Sequence, residues 1–263
     1  MSYKKNELNK LHKTLYEILK KTISIFEENN IKYTLIGGTA LGAYRHSGII
    51  PWDDDIDIVV LEEDIKKINS LKDTFMKENL FVQNFQTEKN TPYYFTKIRL
   101  NNTVFEEKVI ENLSIHKGVF IDIFPLREVR RYGFLYLINY FFFRALVSVF
   151  SAKVTTYSSS LKIKFYKTLI FAFTIPITRK QVFWILSNFF KTNGSNWLGY
   201  CQFKKQFFKK NDFENRKKVK FGDHYYFQLN NVENYLRSMY GKDFNKIPPL
   251  NKRINHKPKR LEL

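Results

Sequence analysis

The hydrophobic spacing along the first half of the chain predicts alternating helices and strands. From residue 6 to residue 26, apolar side chains recur every three or four positions, which indicates a helix with one buried face. The polar residues 27–30 end this helix, and Tyr33–Ile36 has the composition of a strand. Gly37-Gly38 then interrupts the chain before a short helix predicted at Thr39–Tyr44.

The same pattern continues with a predicted strand at Asp55–Val60 and a predicted helix at Glu62–Asn79. Further β-like runs follow at Phe81–Phe85, Tyr93–Leu100, Thr103–Phe105 and Val119–Phe124. Near the C-terminus, Val219–Leu229 is interpreted as a strand pair around Gly222-Asp223, and Val232–Tyr240 as a short helix. Helices mixed with strands in this order predict an α+β (α/β-like) fold, with a mixed sheet flanked by helices.

The composition changes after about Arg130. Residues 131–200 are rich in Phe, Tyr, Leu, Ile and Lys, with few Gly or Pro and no clear strand alternation. We interpret them as a helical, aromatic-rich insertion or subdomain. The predicted organisation is therefore a core at 1–130, this helical part at 131–215, and a C-terminal part at 216–263 that completes the core.

The net charge narrows the classes of partner without choosing among them. The 263 residues include 44 Lys and Arg against 25 Asp and Glu, a formal charge of +19. Such a chain attracts nucleic acid, anionic lipid or a phosphorylated substrate.

The single cysteine, Cys201, excludes an internal disulfide framework and a cysteine-based zinc site. No apolar stretch reaches the ~18–20 residues of a membrane span and no signal peptide is recognised, so we expect a protein that is soluble or associated with a membrane surface.

The candidate chemistry begins where the predicted strand Tyr33–Ile36 meets the next helix. Glycine lets the backbone approach a ligand closely, and a helix N-terminus offers unpaired N–H groups to an anion. Gly37, Gly38 and Thr39 therefore form a candidate phosphate site. A Gly-Gly pair between a strand and a helix is also common as a plain tight turn, and this alternative stays open for these residues alone.

Four carboxylates follow within five positions, at Asp53, Asp54, Asp55 and Asp57. Asp is depleted in strands, yet Asp55 and Asp57 open a predicted strand, where residues two apart share one face with Cα atoms ~6.5–7 Å apart. Two carboxylates on one face repel each other, and a hard cation such as Mg²⁺ bound between them relieves the repulsion. A solvated acidic turn is the alternative interpretation.

Asp122 is the candidate for a third carboxylate. It lies within the apolar run Gly118–Pro125, without a polar residue beside it. A buried unpaired carboxylate is costly, so Asp122 is expected to be neutral or to face a cation or a base. If its strand lies next to Asp55–Val60, Asp122 completes a cluster of three. An edge strand that turns Asp122 toward water is the alternative.

These motifs together resemble the LicD family, which has the nucleotidyltransferase fold and includes bacterial phosphocholine transferases and fukutin-type phosphoribitol transferases. The longest resembling block is residues 38–58, GTALGAYRHSGIIPWDDDIDI. Lys97-Ile98-Arg99 and Gly118–Pro125 resemble two further blocks of that family. The C-terminal block is Tyr240-Gly241 followed by Pro248-Pro249 and His256. Residues 131–215 match no motif of the family.

The resemblance implies a metal-dependent transferase. It implies that Asp55, Asp57 and Asp122 are catalytic and hold Mg²⁺ or Mn²⁺, with Asp122 either completing the metal site or acting as general base. The residues implied in donor binding are Gly37, Gly38, Thr39, Arg45, His46, Lys97 and Arg99. The implied donor is a CDP-linked alcohol such as CDP-choline. The implied acceptor is a sugar hydroxyl of a cell-surface glycan, free or lipid-linked, in lipopolysaccharide, teichoic acid or capsule.

Two other functions remain open from the sequence. A nucleotidyltransferase that moves NMP onto RNA or a small molecule would use the same carboxylates, and a non-catalytic basic protein would bind membrane or nucleic acid. The family blocks favour the phospho-alcohol transferase, with no nucleic-acid partner. We expect a cytoplasmic protein, with residues 131–215 either in peripheral contact with the cytoplasmic face of a membrane or forming a helical subdomain with a basic outer face.

Overall fold

The computed structural model describes residues 3, 6–129, 134–155, 157, 161–189, 192, 194–200, 206–253 and 255–263. Its helices are α1 (Glu7–Glu28), α2 (Gly37–His46), α3 (Asp64–Ser70), α4 (Lys72–Lys77), α5 (Phe134–Ala152), α6 (Leu161–Phe173), α7 (Arg179–Asn188), α8 (Lys210–Glu214) and α9 (Val232–Tyr240). Its strands are β1 (Tyr33–Leu35), β2 (Asp57–Leu61), β3 (Leu80–Gln83), β4 (Thr96–Leu100), β5 (Val104–Glu106), β6 (Phe120–Glu128), β7 (Trp197–Gly199), β8 (Phe207–Lys209), β9 (Lys217–Phe221), β10 (His224–Gln228) and β11 (Arg260–Glu262). This mixture confirms the predicted α+β class.

The main sheet is mixed, with the strand order β3-β4-β6-β2-β1-β10-β9. The β6–β2 and β1–β10 pairs are parallel, and the other neighbours along this path are antiparallel. Strand β7 pairs with the end of β6 and with β8, while β5 and β11 form a separate two-stranded sheet. Because β10 pairs with β1, the C-terminal segment extends the sheet that the N-terminal segment begins.

Helix α1 covers the sheet and confirms its predicted hydrophobic periodicity. Its buried residues follow the three- and four-residue spacing, and the helix lies against β4 and β6. Leu11, Leu15 and Ile18 are among the fully buried side chains of the main core. Truncating such a residue, for example Leu15→Ala, removes packing worth about 2–5 kcal/mol of the free energy of unfolding.

The stretch from Glu62 to Asn79, predicted as one helix, forms two short helices. Helix α3 ends and α4 begins at Leu71, whose backbone leaves the helical region at φ −88° and ψ 9°. The Leu71 N–H donates to both the Lys67 and the Ile68 carbonyls, which tightens the last turn of α3. The apolar periodicity continues across this break, so the pattern alone did not reveal it.

Helices α5 and α7 pack on a second hydrophobic cluster that joins them to the core. Phe143 and Phe150 of α5 and Leu186 of α7 are buried there together with Phe85 and Tyr94. The helices predicted between 131 and 215 are therefore present, but the strand pair β7–β8 within that range was not predicted. Three-residue strands are too short for a recognisable alternation.

Arg179, at the start of α7, holds this helical part against the core. Its guanidinium lies 4.0 Å from the centre of the Phe150 ring and donates to the Phe150 and Thr91 carbonyls. The predicted division at residues 130 and 131 lies outside the described residues, and the three-part organisation stays a prediction. None of the described helices is long and apolar enough to cross a membrane.

Candidate active site

Asp57 and Asp122 are neighbours on adjacent parallel strands. Asp57 opens β2 and is the register partner of Asp122 on β6, where the strands lie ~4.8 Å apart. The Asp122 N–H donates to the Ile56 carbonyl over 2.8 Å, which fixes the two strands at this position. The sequence predicted that Asp122 would join the other carboxylates if its strand lay next to the Asp55–Val60 segment. The two strands are adjacent, so this condition is met.

Asp53, Asp55 and Asp57 share one face of the segment that leads into β2. These three residues are partly exposed, whereas Asp54 and Ile56 between them are buried. This alternation places three carboxylates in one row. Asp53 was not among the predicted site residues. Its two-residue spacing from Asp55, the same as that between Asp55 and Asp57, would have indicated that it shares their face.

Burial and mutual repulsion raise the pKa of each of these carboxyl groups. Burial, then the charges of Asp55 and Asp54, raise the pKa of Asp53 to about 8. Burial, then Asp55, Asp122 and Asp53, hold the pKa of Asp57 well above its usual value. Burial also raises the pKa of Asp55, and it raises that of Asp122 to about 6. Carboxylates that destabilise one another in this way form a site suited to a cation.

Lys97 supplies the positive charge that contacts Asp122. It is the register partner of Asp122 on β4, and its ammonium donates to Asp122 Oδ1 over 2.9 Å. The side chain is 2 % exposed, and its Nζ lies 3.3 Å from the centre of the Phe120 ring. Glu107 Oε2 lies 3.7 Å from the same Nζ. Lys97 opposes the effect of burial on the pKa of Asp122.

Arg99, predicted to act together with Lys97, shares the contact with Glu107 but has other hydrogen-bond partners. Its Nε donates to Gln83 Oε1 and its Nη1 to the Gly118 carbonyl, each over 2.6 Å. Its Nη2 lies 3.7 Å from Glu107 Oε2. The side chain is fully buried, and the contacts described for it join strands β3 and β4 to the start of β6. Its predicted role in donor binding stays a prediction.

The two glycines at the start of α2 leave room for the carboxylates. Gly37 has φ +56°, and a Cβ there would lie 3.1 Å from Asp57 Oδ2. A Cβ on Gly38 would lie 2.8 Å from Asp53 Oδ2. The Gly-Gly pair therefore brings the N-terminus of α2 against Asp53 and Asp57, which is more than a tight turn requires.

Thr39 orients Asp57 through the backbone. Its Oγ1 accepts a hydrogen bond from the Asp57 N–H over 2.8 Å, and the side chain is buried. The Gly37 N–H donates to the Tyr235 hydroxyl over 3.0 Å. The amides of Gly38 and Thr39 lie in the first turn of α2, where a helix leaves its N–H groups without partners of its own. These two amides remain the candidates for contact with a phosphate.

Arg45 and His46, at the other end of α2, contact Trp52 and the C-terminal segment. Arg45 Nη1 donates to the Phe244 and Lys246 carbonyls over 3.3 and 3.0 Å. The His46 ring meets the Trp52 ring edge-on at 6.0 Å, and burial followed by the Arg45 charge lowers the His46 pKa. The structure therefore gives both residues packing partners, and their predicted donor contact stays a prediction.

Asp54 faces away from the row and holds the two ends of the chain. It is 1 % exposed and accepts from the Tyr3 hydroxyl over 2.7 Å. The His256 N–H donates to both carboxylate oxygens over 3.0 and 2.9 Å, and His256 Nδ1 lies 3.4 Å from Asp55 Oδ2. The hydrogen bond to Asp54 raises the pKa of His256 to about 9 despite its desolvation, so the imidazole is charged at neutral pH.

Two sets of side chains are therefore candidates for a metal. Among the described residues, Asp54, Asp55 and His256 are a group whose ligand atoms lie within 4.8 Å of one another. The predicted ligands Asp55, Asp57 and Asp122 do not form such a group among the described residues. The Asp54 carboxylate already accepts from Tyr3 and His256, which a cation would have to displace. The oxygen-only set of Asp55, Asp57 and Asp122 is thus the better match to Mg²⁺.

Two tyrosines of α9 complete the surroundings of Asp57. Tyr235 is buried and accepts from the Gly37 N–H, and burial is the main cause that raises its pKa. The pKa of Tyr240 is also raised, first by burial and then by Asp57, Asp53 and Asp55. Tyr240 belonged to the resembling C-terminal block, but neither tyrosine was predicted as a site residue, since only the fold brings α9 to α2.

A cavity of about 910 Å³ lies at the carboxyl ends of β2 and β6. Its lining includes Leu61, Arg127 and Phe183. The carboxylates of the candidate site, Asp53, Asp55, Asp57 and Asp122, are not part of that lining. Phe95 lines the cavity, and its ring centre also lies 5.3 Å from Lys97 Nζ. The cavity therefore adjoins the carboxylate cluster through Phe95 and Lys97.

A comparison with known families identifies the domain that carries the row of carboxylates. Residues 30–134 match the family described as LicD/FKTN/FKRP, nucleotidyltransferase domain. This match covers less than half of the chain, and it confirms the resemblance to the LicD family seen in the sequence. The matched range contains the Gly-Gly pair, Lys97, and the carboxylates Asp53, Asp55, Asp57 and Asp122.

Individual relatives match shorter parts of the chain. An uncharacterized protein of Rickettsia prowazekii is 53% identical over 51 residues, 19% of each chain. The lipopolysaccharide cholinephosphotransferase LicD of Haemophilus influenzae is 29% identical over 101 residues, 38% of this chain and 37% of the relative. Human ribitol 5-phosphate transferase FKRP is 37% identical over 60 residues, 23% of this chain and 12% of the relative. The matches thus span well under two thirds of these relatives.

Proposed function

We propose that this protein transfers a phospho-alcohol group from a CDP-linked alcohol to a hydroxyl of a cell-surface glycan. The observation that carries the proposal is the pairing of Asp57 with Asp122 in a segment that matches the LicD family, with Asp57 against Gly37 of α2 and Asp55 on the same face as Asp57. Two named relatives support the reaction class, since one is a cholinephosphotransferase and the other a ribitol 5-phosphate transferase. Phosphocholine is one candidate group among several.

In the proposed site, Asp55, Asp57 and Asp122 hold Mg²⁺ or Mn²⁺. When bound, the cation would neutralise the negative charge of the donor diphosphate. Lys97 binds Asp122 Oδ1, which leaves Oδ2 for the metal or for the proton of the acceptor hydroxyl. The Lys97 charge keeps Asp122 ionised in a buried setting, which both roles require.

The proposed donor site lies at the start of α2. The Gly38 and Thr39 amides would bind a phosphate oxygen, and Gly37 allows the close approach of the backbone. Lys97 would add positive charge from the opposite side of the cluster. Arg99, Arg45 and His46 are further donor contacts under this proposal, although the partners described for them are protein groups.

The reaction is a substitution at the phosphorus that carries the alcohol. The acceptor oxygen forms a bond to this phosphorus, the bond to the bridging oxygen of the diphosphate breaks, and CMP leaves with that oxygen. The acceptor proton passes to Asp122 or to solvent. The protein contributes position and charge, as expected for transfer of a phosphate-bearing group.

The proposed catalytic unit joins residues 1–130 with 216–263. It is supported by the pairing of β10 with β1 and by the hydrogen bond from Gly37 to Tyr235. We place the reaction in the cytoplasm, because the donor is a nucleotide and a chain with one cysteine suits a reducing compartment. Residues 131–215 lie outside this proposed unit.

Thermal stabilisation tests donor and metal together. Melting temperatures are measured with CDP-choline, CDP-ribitol, CDP-glycerol, CMP, CTP and ATP, each with and without Mg²⁺, for the wild type and Asp57→Asn. We expect a Mg²⁺-dependent increase with one CDP-alcohol that the variant lacks. Stabilisation by CTP or ATP but by no CDP-alcohol would instead favour nucleotidyl transfer. The absence of any shift would count against the donor site.

A further inference from the structure

Helix α6 is apolar and almost wholly exposed. Leu161 is 84 % and Phe165 67 % exposed, and Ile163, Tyr166 and Leu169 are exposed as well. Among its described side chains none is buried. A helix with apolar residues on every side is normally buried in a core or in a membrane. The described part of this chain supplies no such cover for α6.

The neighbouring helices extend this exposed surface. Phe134, Ile138 and Phe141 on α5, and Trp184 on α7, are exposed large apolar side chains, as is Ile175 between α6 and α7. We call these residues, with those of α6, the apolar surface. The opposite sides of α5 and α7 pack on the core through their buried residues, so the surface is presented by an anchored structure. Soluble monomers rarely expose so many apolar side chains together.

The sequence segment that forms the apolar surface carries charges of a single sign. Between Glu128 and Asp212 the sequence has no Asp or Glu, while it has fourteen Lys and Arg. On α6, Lys162 and Lys164 flank Ile163 and are exposed. An apolar surface whose own segment carries only cations complements a partner that combines apolar and anionic groups.

We propose that the apolar surface docks on an anionic lipid bilayer, with α6 lying in the interface. A bilayer provides both an apolar interior for Phe165 and Leu161 and anionic headgroups for Lys162 and Lys164. A second copy of the chain is disfavoured, because a symmetric contact would place the same cations against one another. This proposal does not depend on the proposed transfer reaction.

Co-sedimentation with vesicles tests the proposal without donor or acceptor. The full chain is incubated with vesicles of phosphatidylcholine alone and of an equal mixture of phosphatidylcholine and phosphatidylglycerol. We expect binding to the anionic vesicles that weakens as salt rises. Ile163→Glu/Phe165→Glu and Lys162→Glu/Lys164→Glu should each reduce the affinity by about tenfold or more. Both pairs lie on exposed positions, so the fold should be unaffected, as melting temperature can verify.

Matched variants elsewhere on the surface control for net charge and for loss of apolar area. Lys217→Glu/Lys220→Glu on β9 changes the charge equally, and Met76→Glu on α4 replaces another exposed apolar residue. Neither should alter vesicle binding by more than about twofold. Binding that the β9 pair weakens as much as the α6 pair would overturn the proposal. The proposal would also be overturned if the wild type bound neither kind of vesicle. One form of that outcome is a wild-type dimer that Ile163→Glu/Phe165→Glu converts to a monomer, which would show that a second copy of the chain covers the apolar surface.

Discussion

Asp122 on β6 lies between Lys97 on β4 and Asp57 on β2, as the register partner of both. One row across three adjacent strands therefore carries a cation, a carboxylate and a second carboxylate. Lys97 compensates Asp122, and no described basic side chain contacts Asp57 in the same way. The excess of negative charge in this row is the basis of the predictions below.

Replacing Asp57 by Asn should stabilise the metal-free protein while abolishing its response to metal. The amide removes a carboxylate whose pKa is raised by burial and by Asp55, Asp122 and Asp53. We expect the melting temperature in EDTA to rise by roughly 2–4 °C, about 1 kcal/mol for a chain of this size. Mg²⁺ should stabilise the wild type and leave the variant unchanged. A variant that melts lower than the wild type in EDTA would contradict this account.

The pH dependence of stability should reveal the same repulsion. The pKa of Asp53 is raised to about 8 and that of Asp122 to about 6, above the unfolded value of about 4. As pH rises, the unfolded chain loses these protons before the folded one does, so the metal-free fold loses stability between about pH 4 and about pH 8. Mg²⁺ should counteract this loss most strongly at the upper end.

Comparison with Asp53→Asn isolates this effect from other titrating groups. Burial lowers the pKa of His116 to about 4, which gives a slope of opposite sign between about pH 4 and 6.5 in both proteins. The difference in melting temperature between the variant and the wild type should therefore grow with pH in EDTA. A difference that is constant over this range would show that Asp53 is not perturbed in the folded state.

Removing Lys97 should be costly because it leaves a buried carboxylate unpaired. We expect Lys97→Met to lower the free energy of unfolding by about 3–5 kcal/mol. The double variant Lys97→Met/Asp122→Asn should recover part of this loss, since the amide carries no charge. Denaturant unfolding of the four proteins in this cycle measures the coupling. Additive effects of the two substitutions would mean that the 2.9 Å contact contributes nothing to stability.

Alanine at the glycines of α2 should separate backbone strain from loss of the site. Gly37→Ala introduces a Cβ at φ +56° and 3.1 Å from Asp57 Oδ2, so it should lose about 1–2 kcal/mol of stability and weaken Mg²⁺ binding. Gly38→Ala, with a Cβ 2.8 Å from Asp53 Oδ2, should affect mainly Mg²⁺ binding.

Gly194→Ala is the matched control for these variants. Gly194 also has a positive φ, +75°, but a Cβ there would meet nothing within 4 Å. Its alanine variant should therefore lose a similar amount of stability through backbone strain and keep the full Mg²⁺ effect in the same melting assay. Equal weakening of the Mg²⁺ effect by Gly194→Ala would remove the special role assigned to Gly37.

The local elements of the fold were predictable because their signals are local. The spacing of Leu11, Leu15 and Ile18 defines α1, and the composition around Gly222 defines the turn between β9 and β10. The pairing of β2 with β6 was predictable only as a condition on Asp122, since strand order depends on contacts distant in sequence. The break at Leu71 lacked any signal in the apolar pattern.

The site was predictable as far as its residues lie in one segment. Asp55 and Asp57 share a face because of strand geometry, and Gly37 precedes them on the neighbouring element. The contacts of Tyr235 with Gly37 and of His256 with Asp54 join residues about 200 positions apart, and no spacing rule reaches them. Lys97 and Arg99 lie on the same strand face, so the sequence alone predicted the same role for both. Their roles can be distinguished only from the residues that each side chain contacts in the fold.

The most direct test of the proposed function identifies which phosphorus is attacked. The protein is incubated with the stabilising CDP-alcohol and Mg²⁺ in water enriched in the heavy oxygen isotope, so that water replaces the acceptor, and the products are weighed by mass spectrometry. The account predicts slow, Mg²⁺-dependent hydrolysis that Asp57→Asn abolishes, with the heavy oxygen in the phospho-alcohol. Heavy oxygen in CMP would mean attack at the nucleoside phosphorus, and the protein would then be a nucleotidyltransferase.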